Sequence, residues 1–431
     1  MSPGAERAAR PRHVAAAVIG NALEFYDFIT YAFFAIQIGH AFFPAHNAYV
    51  SLMLSLATFG VGFVTRPLGA LVLGAYGDRA GRRPAMMLSF VLMGGSIIAL
   101  ALIPSYSRIG LAAPLLAVAA RMVQGFSLGG EVGPATAFLM EAAPARGRGL
   151  AVSWQGASQN VAALAAGLIG VGLSAVLPPA ALDAWGWRIA FLVGTLTLPV
   201  GLWIRQSLPE TLPPRAPVAA ARREPVLALL RGNARIICLG LVVMSASTIA
   251  TYIGSYRATF AQHALAMTPQ AAYLATSVTY STGIVSILVG GRLCDRYGRR
   301  ALMLWPMAAY LVAILPAYAW IIHARSPLAL ALGTSVLALF GAMPAGAFYA
   351  AVTESLPARI RGGAFGLIYT LPVTVLGGTT QLLVTWLIHV TGDPMALAWY
   401  QLAAGAAGAL GMLFIVETSP AKVAPALVAA E

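Results

Sequence analysis

The chain has 431 residues, of which 59% are hydrophobic and only 10% charged, with a net charge of +13. A soluble domain carries about a quarter charged residues, and a mean hydropathy of +0.79 leaves too little polar surface to face water all round. A soluble protein is excluded, and a multi-pass protein whose partner is the lipid bilayer is expected.

The basic excess is arginine apart from the single lysine, Lys422, and it falls in short stretches between apolar runs. That is the orientation signal of a membrane protein rather than the continuous basic face of a nucleic-acid binder, so no nucleic-acid partner is expected. A helix needs about 20 apolar residues to cross a bilayer. Twelve such stretches occur, at 14–40, 50–76, 85–104, 110–141, 150–177, 187–206, 235–262, 270–292, 300–322, 327–354, 363–390 and 395–417. The first begins like a signal peptide, with Arg7, Arg10 and Arg12 ahead of it. Glu24 and Asp27 interrupt its apolar run, however, and no small-residue cleavage site follows, so it is expected to stay as a span. Between the sixth and seventh spans the chain turns polar, with Pro209, Pro213, Pro214, Pro217, Arg222, Arg223 and Pro225. This linker, 207–234, separates an expected N-terminal bundle, 14–206, from a C-terminal bundle, 235–417. Arg79, Arg82, Arg83, Arg146, Arg148 and the arginines of 215–231, 296–300 and 359–361 fall on one side, against little more than Arg108, Arg188 and Arg325 on the other. Both termini are therefore expected in the cytoplasm.

Two motifs are written twice. Gly74, Asp78, Arg79, Gly81, Arg82 and Arg83 return as Gly291, Asp295, Arg296, Gly298, Arg299 and Arg300, 217 residues later. Glu141, Pro144, Arg146, Arg148 and Gly149 return as Glu354, Pro357, Arg359, Arg361 and Gly362, 213 residues later. Two motifs repeated in order at nearly one spacing indicate a duplicated unit of half the chain. The expected fold is an all-α membrane protein of twelve transmembrane helices in two six-helix, parallel-repeat bundles. Such folds place their substrate near the bilayer midplane, between the repeats.

The doubled Gly-x-x-x-Asp-Arg-x-Gly-Arg-Arg loop resembles the signature of the major facilitator superfamily. Four further stretches look like the metabolite:proton symporter family of bacterial inner membranes. They are Gly20-Asn21-Ala-Leu-Glu24-Phe-Tyr-Asp27-Phe28, Gly62-Phe-Val-Thr-Arg66-Pro67-Leu-Gly69, the run from Arg121 through Gln124, Gly125, Ser127 and Gly130 to Glu131, and Trp185-Gly186-Trp187-Arg188. Within that family, Ser153-Trp154-Gln155-Gly156-Ala157-Ser158-Gln159, Leu376-Gly377-Gly378 and Thr391-Gly392-Asp393 most resemble citrate and tricarballylate symporters. The resemblance implies a monomer that takes up a small organic anion with protons, by alternating access, in the bacterial inner membrane. Shikimate, 2-oxoglutarate, an aromatic acid or a zwitterionic osmolyte remain alternative substrates, and a drug/proton antiporter an alternative mode.

Charges within spans are costly and each needs a reason. Glu24 and Asp27 share a helix face at i, i+3, continued by Tyr31, and two buried carboxylates together can take up and release a proton. The alternative is a structural pair to Arg66 or Arg121. Arg121, Gln124, Leu128 and Glu131 fall within one arc of the fourth span. Arg121 and Arg66 are candidates to bind an anionic substrate, because a guanidinium fork matches a carboxylate, with Glu131 exchanging a proton. A permanent Arg–Glu scaffold is the alternative. Arg257, beside Tyr252 and Tyr256, either faces the cavity from the second half or snorkels to the interface. Gln155, Ser158 and Gln159 form a polar face apt for substrate oxygens, or for interhelical glue. Asp78, Arg82, Glu141 and Arg146, with their counterparts Asp295, Arg299, Glu354 and Arg359, are expected to latch and release the cytoplasmic side. His40, His46, His263, His323 and His389 lie near span ends with no metal spacing, so no metal is expected. No cofactor is expected either. The phosphate-cradling Gly-Lys-Ser/Thr loop is missing, as are hydrolase and dinucleotide motifs, which argues against a pump driven by ATP and against an enzyme. Anion entry works against about 2.3 kcal/mol per charge per 100 mV, which co-transported protons offset.

Overall fold

A computed structural model of the chain describes residues 11–80, 82–130, 139–140, 143–144, 147–195, 199, 230–357, 360–420 and 422. The first crossing is α1 (Pro11–Phe33) continued by α2 (Ala35–Phe42), and the second is α3 (Ala48–Val64) with α4 (Arg66–Ala80). Helices α5 (Arg82–Leu102), α6 (Ala112–Ser127), α7 (Arg148–Val176) and α8 (Trp187–Thr195) follow. After the linker come α9 (Ala234–His263), α10 (Pro269–Tyr297) and α11 (Arg299–Ala324). Then α12 (Pro327–Ala342) is continued by α13 (Pro344–Ser355), α14 (Arg361–Pro372) by α15 (Gly378–Thr391), and α16 (Ala396–Leu413) ends the set. Among the described residues, eight helical stretches are long and apolar enough to cross a membrane. Helix is also described within the four other expected crossings, the first, third, fourth and sixth, over 11–42, 82–102, 112–127 and 187–195.

Local chemistry sets the ends. Asn47 caps α3 by accepting the Tyr49 N–H, and Thr268 and Ser326 cap α10 and α12 with Pro at the first helical position. The second, tenth and eleventh crossings are each broken beside a proline: at Thr65 before Pro67, at Met343 before Pro344, and in the wide turn 373–377 after Pro372. A proline removes an N–H and crowds the preceding turn. The first crossing breaks at Phe34 with no proline nearby. The twelfth ends at Leu413, short of the expected residue 417, because Phe414 onward leaves the helix to form a strap described below.

Contacts across the two bundles run along α7 with α10, α3 with α15, and α1 with α9. Small residues bring these backbones together. A Cβ on Gly60 would lie 2.7 Å from the Gly378 carbonyl oxygen, and one on Gly291 would lie 2.1 Å from Ser153 Oγ. With little hydrophobic drive between helices in lipid, such close backbone packing is the main source of association.

Candidate functional site

A cavity of about 180 Å³ lies between the two bundles. At roughly 30 Å³ per liquid water, it has room for about six waters or one small metabolite. From the first bundle it is lined by Phe28, Gln159 and Asn160, and from the second by Tyr252, Arg257 and Tyr280. Arg257 is 7% exposed, so its guanidinium stays at the cavity wall and does not snorkel to the interface. Gln159 reaches across the seam, where its Nε2 donates to the Tyr369 hydroxyl at 3.2 Å.

Several lining residues carried no signal in motif or repeat. Gln401 accepts from the Tyr318 hydroxyl at 2.9 Å and donates to the Tyr310 hydroxyl, holding two phenols in place beside Arg257. Tyr310 and Gln401 both line the cavity. Gln401 is the one amide in α16, and a lone amide in an apolar span is a signal that would have found it.

Asp27, Arg66, Arg121, Gln124 and Tyr31 are brought together, but behind the cavity wall. Arg121 is 1% exposed. Its guanidinium carbon lies 4.5 Å from the Tyr31 ring centre and 5.2 Å from those of Phe28 and Phe59. Arg66 sits 4.5 Å from the Phe63 ring and 5.1 Å from Phe28. Arg121 also donates to the Gln124 side-chain oxygen. Each ring face returns about 0.5–2 kcal/mol to a desolvated cation, against a desolvation penalty of several kcal/mol per ion. Among the described residues no carboxylate pairs with either arginine, and Arg66 Nε, Arg121 Nε and Gln124 Nε2 have no acceptor. A buried donor left unmade costs about 1–3 kcal/mol, so the cluster is built to gain from an acceptor. Asp27 interacts electrostatically with Arg121, yet its Oδ1 has no hydrogen-bond partner. It faces Gly194, where a Cβ would come within 2.2 Å of that oxygen.

Tyr31 donates to the Ser55 carbonyl at 3.2 Å. Gln155 and Ser158 also fall away from the cavity. Gln155 Nε2 donates to Asn21 Oδ1 at 2.8 Å, and Asn21 Nδ2 donates to Ser158 Oγ at 2.6 Å. In this conformer the two side chains tie α7 to α1, and their sequence neighbour Gln159 alone of the three reaches the cavity. This is the interhelical alternative for that polar face: residues 155 and 158 meet the neighbouring helix, where Asn21 supplies both a donor and an acceptor.

At the arginine-rich end the second copy of the doubled loop is a closed network. Gly298 has φ +102°, a conformation that favours glycine, and the turn it makes sends Arg299 back onto its own loop. Arg299 Nη1 pairs with Asp295 at 2.5 Å and its Nη2 with Glu354 at 3.2 Å. Asp295 also accepts the N–H groups of Gly149 and Leu150 at 2.9 and 3.0 Å. A carboxylate there complements the N-terminus of α7, and it ties the second bundle to the first. Arg148 approaches Glu354 at 4.0 Å. The strap after α16 joins in, with Thr418 donating to Glu354 and Glu417 accepting the N–H groups of Arg299 and Arg300. Burial pushes the Glu417 carboxyl up, but those N–H groups and that of Ser419 outweigh it and hold it below the ordinary carboxylate value. The side chains of Glu24, Asp78 and Arg82 lie outside the described residues, as do Glu131, Glu141, Arg146 and Arg359. At the opposite end Tyr273 donates to the Phe33 carbonyl at 3.2 Å and Tyr49 stacks on His389 at 3.8 Å, so the bundles meet there too. Among the described residues no cluster of His, Cys, Asp and Glu has metal-binding geometry.

Two parallel-repeat bundles around a largely apolar cavity that carries one buried arginine define a membrane transporter, and comparison with known proteins agrees. Residues 13–215 match the sugar (and other) transporter family, and residues 239–430 match the major facilitator superfamily. The chain belongs to the major facilitator superfamily. A citrate-proton symporter of Klebsiella pneumoniae is 37% identical over 93% of this chain and 90% of its own. A proline/betaine transporter of Escherichia coli (strain K12) is 31% identical over 94% and 83%. The solved structure of a D-xylose-proton symporter superposes with a TM-score of 0.73 at 18% identity, covering 95% of this chain and 99% of that one. The last of these shows the fold.

Proposed function

We propose that this protein is a secondary active transporter that takes up a small organic anion, a citrate-type carboxylate, together with protons. It does so by alternating access across the bacterial inner membrane. The observation that carries this reading is Arg257: a buried guanidinium on the wall of the cavity between the bundles, where a fork of donors matches a carboxylate. Arg121, Arg66 and Gln124 supply further unmet donors one layer away. Asp27 is the proton carrier among the described carboxylates, with Glu24 and Glu131 as its partners in the same task. The bundles 14–206 and 235–417 rock about the cavity. The Asp295–Arg299–Glu354 network, with Arg359, closes the cytoplasmic side, where both termini lie, and its first-bundle counterpart of Asp78, Arg82, Glu141 and Arg146 does the same. The citrate-proton symporters among the relatives support the carboxylate.

A second reading has its own support. Phe28, Tyr252, Tyr280, Tyr349 and Phe348 give the cavity aromatic walls, which suit a quaternary ammonium, and relatives named for proline and betaine match at 30–31%. Uptake of radiolabelled citrate, tricarballylate, 2-oxoglutarate and betaine into proteoliposomes, with and without a protonophore, separates the two. Saturable, protonophore-sensitive uptake of a carboxylate is expected. Saturable uptake of betaine alone would replace the anion by the osmolyte.

A further inference from the structure

Phe28 occupies an unusual position between two groups of cationic donors. It lines the cavity that holds Arg257. It also touches the buried pair, with the guanidinium carbons of Arg66 and Arg121 at 5.1 and 5.2 Å from the ring centre, although neither arginine lines the cavity. Tyr252 of α9 meets the same ring edge-on at 5.9 Å and packs against Phe63 at 5.4 Å, so the screen is made jointly by both bundles. Behind it wait three donors with no acceptor among the described residues, Arg66 Nε, Arg121 Nε and Gln124 Nε2. In front of it lies Arg257, whose Nε is likewise unmet. The ring belongs to α1, six residues ahead of the break at Phe34, and it directly follows Asp27.

We propose that Phe28 is a movable partition between two anion subsites, Arg257 in the cavity and the Arg66–Arg121 pair beyond it, which together favour anions carrying carboxylates at two ends. One carboxylate rests on Arg257 in the cavity. A second displaces the Phe28 ring and reaches the Arg66–Arg121 pair behind it, so that a di- or tricarboxylate bridges the bundles where a monocarboxylate engages only one. The inference rests on the anion reading above: the second arginine site supplies the preference for two carboxylates, and Phe28 sets how fully that preference is expressed rather than serving as part of the greasy wall. Because a carboxylate that pushes the ring aside must displace cation–π contacts, the partition weakens binding of its own preferred ligand.

The test is equilibrium binding of labelled tricarballylate and labelled butyrate to the purified full-length protein in nanodiscs. The wild type is expected to bind tricarballylate at least tenfold more tightly than butyrate. In Phe28→Ala, tricarballylate binding should tighten by about tenfold while butyrate binding stays within twofold. Phe28→Leu, which keeps most of the side-chain volume, should move tricarballylate the same way by a smaller factor. That variant, with the wild-type comparison, decides the matter should Phe28→Ala fail to fold. Arg121→Gln should remove the advantage of tricarballylate over butyrate. Equal binding of the two acids by the wild type, or equal changes for both in the Phe28 variants, would overturn the partition and leave an anion transporter. Binding of neither acid, with betaine bound, would overturn the anion reading itself.

Discussion

The two bundles treat buried arginine in opposite ways. In the first, Arg66 and Arg121 are packed under Phe28, Phe59 and Phe63, out of reach of the cavity. In the second, Arg257 lies on the cavity itself among tyrosines that Gln401 holds in register. A buried guanidinium is expensive in either place, so burial by itself does not tell a ligand from a scaffold. Its neighbours do. Aromatic faces screen a charge and keep it in reserve, whereas phenol hydroxyls and open volume present it.

The contrast exists only while the bundles are held face to face, and its severest disruption is at the latch. Arg299→Ala removes one partner of a buried ion pair, a loss of about 3–5 kcal/mol. Thermal stability should fall, and Cys294, which is buried beside Arg299, should react with a maleimide about tenfold faster in a Cys238→Ser background. Unchanged labelling would mean that Arg299 does not hold this end shut. Next in size is the pair of arginine substitutions. Truncating one side of a buried charge contact costs about 2–5 kcal/mol. Arg257→Gln should therefore cut uptake of every carboxylate about 30-fold or more, while Arg121→Gln should fall hardest on polycarboxylates. Equal losses for all acids in both variants would erase the distinction between the regions. A finer probe touches the second region alone: Gln401→Leu releases the Tyr310 and Tyr318 hydroxyls, at about 1 kcal/mol per hydrogen bond, and should raise KM severalfold with kcat nearly unchanged. A fall in kcat alone would place Gln401 in the moving parts instead.

The smallest effect is a titration at the strap. Glu417 is held below the ordinary carboxylate value by backbone donors, so its contribution is complete above that ordinary range and fades as pH drops through the lowered value. Glu417→Gln should accordingly melt lower than wild type at neutral pH, and the gap should narrow in acid. A gap that widened in acid would reverse the sign and remove the strap from the account.

Hydropathy and the two doubled motifs were enough to place the twelve crossings and their two-fold grouping, because a bilayer leaves few ways to satisfy a backbone. The breaks beside Pro67, Pro344 and Pro372 had a visible cause, whereas the one at Phe34 is set by tertiary packing. Within the site, Arg257 stood out as a lone charge in a span. Gln155 and Ser158 could not be told from Gln159 on periodicity, since what separates them is Asn21 on a helix more than 130 residues away. Gln401 and Tyr310 belong to no repeat, and Phe28 reads as ordinary apolar filling until the two arginines behind it are seen.

The seam of α7 against α10 and α3 against α15 is defined by missing atoms: Gly60 faces Gly378, and Gly291 faces Ser153. A surface without protruding groups offers little friction to a rolling motion. A single added methyl would act there as a shim, jamming the rotation while leaving the ligand chemistry intact. Gly60→Ala is thus a handle for arresting the cycle at one stage, independent of what the cavity carries.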